Sequence, residues 1–183
     1  LTYKDGLVSS GDSIEAQGNV VVEIDFDGGS TKLVFAGSAT QNFNLLTGAT
    51  DGFNANIEVN KSGGSVQLAS ALIMDNGGQD LIILSGNFDS NGQNININDE
   101  LNVTGTFTGS GGYVDVADVI INTNGTLIAP SGAFNTKTWS NTGTGTFTEG
   151  TNTVTFDRNA GNIDVNGNDT FYNVIIDKTD GQS

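Results

Sequence analysis

The chain has 183 residues, 26 of them Gly, with no Cys, no His and a formal net charge of −15. Without Cys or His, disulfide frameworks, thiolate zinc sites and Ser–His–Asp or Cys–His catalysis are excluded. Its six Lys and Arg are scattered, so nucleic acid is not an expected partner, and the apolar run Leu81-Ile82-Ile83-Leu84 is far too short for membrane insertion.

In chain order, residues 1–18 carry short apolar pairs among Gly, Ser and Asp and read as a cap. Asn19–Asp27 is the first strand: Val22, Ile24 and Phe26 share one face, and Glu23, Asp25 and Asp27 the other, because strand side chains alternate. Further strands follow at Thr31–Phe35, Gln41–Leu45 and Phe53–Val59. Ser65–Met74 and Leu81–Leu84 flank the turn Asp75-Asn76-Gly77-Gly78. Asn94–Asn98, Leu101–Val103, Tyr113–Ile121, Gly125–Ile128, Phe134–Trp139 and Phe171–Ile176 complete the set.

Apolar residues recur at spacing two throughout, so no amphipathic helix is expected. Strand centres lie too close together to hold the helical crossovers of an α/β sheet. The chain is therefore all-β. The leading architecture is a parallel β-helix (β-solenoid), and the alternative is a set of antiparallel β-sandwich modules. Asn- and Gly-rich corners favour the solenoid, since Gly takes φ > 0 freely and Asn tolerates it. At roughly 20 to 25 residues per coil, a typical repeat period, the chain makes about eight coils.

One stretch recurs. KLVFAGSATQNFNLLTGATDGFNANIEVNKSGG, from Lys32, matches GTFTEGTNTVTFDRNAGNIDVNGNDTFYNVIID, from Gly145, in degenerate form. Phe35 aligns with Phe156 at an offset of 121, and Ile57–Ser62 with Val174–Thr179 at 117. This divides the chain into a solenoid unit at 1–144, capped by 1–18, and the start of a second unit at 145–183. The run GTFTEGTNTVTF followed by TFYNVIIDK resembles the repeat units of large secreted bacterial surface proteins of adhesin type. That resemblance implies a right-handed parallel β-helix and an extracellular or cell-surface location, and it carries no catalytic residues onto this chain.

The chemistry on offer is thin. Glu23, Asp25 and Asp27 on one strand face, and Asp89, Asp99 and Glu100 near Asn91, are candidate calcium ligands, because hard cations take carboxylate and amide oxygens. Two carboxylates can suffice for glycoside hydrolysis, which keeps a carbohydrate-binding or polysaccharide-cleaving β-helix as the alternative. Thr pairs at 106/108, 136/138, 146/148 and 153/155 raise an ice-binding solenoid, but the pairs share no single period. The leading function is a non-enzymatic structural module of an extracellular fibre, stalk or adhesin. Its expected partners are copies of itself or adjacent repeats, head to tail, with surface glycans next. The strand Phe171–Ile176, with Phe171 and Tyr172 making apolar contact, is the expected joining surface.

Overall fold

The computed structural model describes residues 1–4, 11–23, 29–46, 55–158 and 161–178, and among them it contains β-strands and no helix. All strand pairings are parallel, and strands pair with their counterparts one coil away. The result is a β-solenoid of about eight turns, and among the described residues no antiparallel pairing, hence no antiparallel sandwich, occurs.

Three stacked sheets form its walls. The first contains β1 (Thr2–Tyr3), β3 (Val20–Val22), β5 (Gln41–Leu45), residues 65–68 of β6 (Ile57–Leu68) and residues 87–89 of β8 (Leu81–Asp89). It continues through β10 (Thr106–Thr108), β12 (Thr126–Ile128) and β14 (Thr146–Thr148). The second sheet starts at β2 (Ser13–Ala16) and β4 (Lys32–Phe35) and takes the opening residues of β6 and β8. It then uses the ends of β9 (Ile95–Val103), β11 (Val114–Ile121) and β13 (Phe134–Asn141), and closes on β16 (Val165–Gly167). The third comprises β7 (Leu72–Met74), the starts of β9, β11 and β13, then β15 (Thr153–Phe156) and β17 (Asn173–Ile176).

Alternation places one apolar row from each sheet inside. Val66, Phe88, Phe107, Leu127 and Phe147 stack rung on rung in the first sheet. Leu33, Ile57, Leu81, Leu101, Val119 and Trp139 do so in the second, and Leu72, Ile95, Val114, Phe134 and Val154 in the third. All but Phe147 are fully or almost fully buried, and each large side chain contributes roughly 1.5–3 kcal/mol by leaving water. The Phe88 and Phe107 rings stack with centroids 6.2 Å apart.

Coil length is irregular early and regular late. Val20 pairs with Phe43 and Phe43 with Leu68, whereas Phe107, Leu127 and Phe147 follow one another at steps of 20. Val114, Phe134, Val154 and Val174 keep the same step of 20 in the third sheet. This explains the two offsets of the sequence repeat. Phe35 pairs with Val59, 24 residues on, in the second sheet; Phe156 pairs with Ile176, 20 on, in the third. The repeat thus records a strand and its next rung, on two different walls. β12 and β14, which lie on either side of residues 144 and 145 in the chain, pair in the same sheet.

Ser65–Met74, read as one strand, is two strands on two sheets, β6 ending at Leu68 and β7 beginning at Leu72. The bend carries no Gly or Pro. The Ser70 hydroxyl instead accepts the Leu45 N–H at 2.7 Å and holds the corner to the coil below.

Candidate functional site

Among the described residues, a row of polar groups borders a groove outside the third sheet. Ile97, Val116, Thr136, Phe156 and Ile176 stack in register, so the residues that follow them, Asn98, Ala117, Lys137, Asp157 and Asp177, form a second row. Beside that row stand Asn96 and Asp115, which pair with each other across one rung. The pairing shifts between Val116 and Asp118, where the chain leaves the third sheet for the second. Ala117 is short, and its place between Asn98 and Lys137 opens a cavity of about 420 Å³ that reaches Asp115. The Thr136 hydroxyl fixes this bend by donating to the Ala117 and Thr138 carbonyls, at 3.2 and 2.9 Å.

The electrostatics follow from the geometry. Burial raises the Asp115 carboxyl above the usual carboxylate range, the Asp157 carboxylate raises it further, and the Lys137 ammonium works against both. Among the described residues, no donor reaches the Asp115 carboxylate, and Lys137 forms no ion pair within 4.0 Å. The groove therefore offers carboxylate acceptors, an ammonium donor and two amides, of which the Asn98 amide also donates to the Asp75 carbonyl at 3.1 Å.

The acidic residues singled out from sequence are distributed otherwise. Asp25 and Asp27 lie outside the described residues. Glu23 pairs with Lys4 at 3.5 Å. Asp89 Oδ1 accepts the Asn91 N–H and the Ser110 hydroxyl, both at 2.8 Å. Asp99 Oδ2 accepts the Gly78 N–H at 2.8 Å, and Glu100 Oε1 accepts Asn102 Nδ2 at 2.6 Å. Glu23, Asp89, Asp99 and Glu100 thus each have a partner within the protein, and among the described residues no three acidic side chains converge on a point that could hold a metal. The Thr pairs divide as well. Thr106, Thr126 and Thr146 stack in one ladder of the first sheet, but Thr136 is buried and the other pairs lie elsewhere.

Two buried polar arrangements escaped sequence reasoning. Lys61 is buried at a corner, and its Nζ donates to the carbonyls of Ala36 (3.2 Å) and Ala39 (2.8 Å) and to Gln41 Oε1 (2.5 Å). Gln41 Nε2 in turn donates to the Ala16 and Gly18 carbonyls, so one chain of bonds ties three coils together. Burial pushes the Lys61 pKa down. Near the other end, the Asp169 carboxylate accepts Trp139 Nε1 at 2.7 Å and Asn141 Nδ2 at 2.8 Å. Phe171 beside it points inward against Trp139, Phe147 and Phe156, with ring centroids 5.2, 5.4 and 5.9 Å away. It is therefore a core residue rather than the exposed contact expected of it, whereas Tyr172 is 60% exposed.

No family model, curated protein or solved structure matches the chain.

Proposed function

We propose that this chain is a non-enzymatic structural module of an extracellular fibre, stalk or adhesin, lengthened by stacking β-strands end to end. The observation that carries the reading is the unbroken parallel stacking, about eight turns whose rows stay in register from rung to rung. Val174 and Ile176 occupy the row that is inward-facing in every rung beneath them, yet they are 47% and 60% exposed. The second sheet adds support: among the described residues, β2 at its start and β16 at its close each pair on one side alone. A parallel strand laid on β16 and β17 would satisfy their free N–H and C=O groups and cover Val165, Val174 and Ile176. Such a heterologous contact generates a filament unless its rotation closes a ring.

Ile176→Asp tests the reading. Light scattering of the unaltered chain is expected to show mass rising with concentration, and the variant is expected to stay at one chain. Mass that stays at one chain for both would refute the stacking. Antibody labelling of intact source cells tests the location: label lost on protease treatment of whole cells is expected, and label seen only after lysis would refute it.

A further inference from the structure

We propose that the axial groove on the third sheet binds an uncharged glycan chain lying along the solenoid, with Asp115 and Lys137 as the residues that select it.

The groove's chemistry points to hydroxyl-rich ligands. Asp115 is partly buried and lacks a donor among the described residues, so a ligand that donates hydrogen bonds relieves it. Lys137 supplies donors one rung away, and Asn96 and Asn98 supply both donors and acceptors. Sugar hydroxyls donate and accept at once, which suits a surface mixing all three. A divalent cation suits it less, because the Lys137 rung lies between those of Asp115 and Asp157 and its ammonium already acts on the Asp115 carboxylate. An anionic chain meets Asp157, Asp177 and a protein of net charge −15.

The dimensions agree. Five rungs, from Asn98 to Asp177, border the groove, and at about 4.8 Å per rung they extend about 19 Å. That rung spacing is comparable with the advance of one residue in an extended β-linked glycan, so a short oligosaccharide can repeat its contacts along the row. The cavity of about 420 Å³ lies within the roughly 300–1,000 Å³ of ligand sites generally.

The test is an NMR titration of the full chain with cellohexaose, laminarihexaose and N-acetylchitohexaose, with hexagalacturonate as the anionic arm and calcium chloride as the cation arm. At least one neutral hexasaccharide is expected to shift the amides of Asp115, Ala117 and Lys137, and hexagalacturonate is expected to leave them in place. Asp115→Asn and Lys137→Met should each weaken that binding about tenfold, the effect of losing about 1.4 kcal/mol. Lys4→Met, an equal charge change far from the groove, should leave it unaltered. Amide spectra of the variants otherwise matching the parent show that the fold is kept. Shifts with calcium alone, shifts unaffected by the two groove variants, or no shift with any neutral sugar would each overturn the proposal. Groove shifts and end-to-end mass are separate signals, so this inference and the structural reading can fail independently.

Discussion

Gly86 lies inside β8, where the chain passes from the second sheet to the first, with φ of 80°. A Cβ added there would lie 2.7 Å from Lys61 Cβ and 3.3 Å from the Lys61 carbonyl oxygen. Neither contact can be relieved by rotating a side chain, because the Lys61 Cβ and carbonyl oxygen are both fixed to the backbone. For Gly86→Ala the left-handed conformation costs about 1–2 kcal/mol. Forcing the coils apart adds about 1–3 kcal/mol, as for other overpacked interiors. A total of about 2–5 kcal/mol corresponds to a fall in melting temperature of about 4–20 °C for a chain of this length. Gly18→Ala is the matched control: nothing lies within 4 Å of the added carbon and φ is not left-handed. It is expected to be neutral or to stabilise by up to about 1 kcal/mol, through the unfolded chain. Melting of both variants by circular dichroism is the assay. A Gly86→Ala chain melting within about 1 °C of the parent would refute the stacking of that corner on Lys61.

Lys61→Met should destabilise by about 1–3 kcal/mol, since it leaves buried acceptors at Ala36, Ala39 and Gln41 without their donor. The lowered Lys61 pKa also sets a pH dependence: between that value and the ordinary 10.5 the unfolded chain holds more protons, so stability should rise with pH across that window. Denaturant midpoints measured across the window should lose this rise in Lys61→Met. Asp115 has the opposite sign, because its raised pKa means the native state holds more protons; its contribution should grow as pH falls through the raised value, and Asp115→Asn should remove that growth. Trp139→Phe drops the bond to Asp169 and leaves part of the indole's space beside Phe134, Phe147 and Phe171 empty, and denaturant melts should show a loss of about 2–4 kcal/mol.

The fold was legible because its rule is local. Period-two alternation and corners rich in Gly and Asn define short strands, and their close spacing rules out helical crossovers, which leaves few architectures. Which wall a strand joins was not legible, because every strand follows the same alternation. Ser65–Met74 shows this: without Gly or Pro at Ala69–Ala71, nothing marks the corner. The groove was hidden for a related reason. Ala117, Lys137, Asp157 and Asp177 have little in common as residue types, and a register of 20 residues alone brings them into one row. That register is present in the sequence from Val114 onward, but the match between the Lys32 and Gly145 stretches has a longer and less regular spacing. The acidic residues stood out through local density along the chain, and density does not reveal which of them, such as Asp89 and Asp99, also accept hydrogen bonds within the protein.

The central claim is that this solenoid extends by laying a new rung on β16 and β17. Hydrogen exchange at the Asn173–Ile176 amides, compared between dilute and concentrated protein, tests it most directly. The account predicts fast exchange in dilute solution and protection that grows with concentration, alongside rods in electron micrographs that lengthen in steps of about 40 Å, eight rungs at about 4.8 Å each. Amides that exchange equally fast at every concentration, in particles that stay one solenoid long, would contradict it.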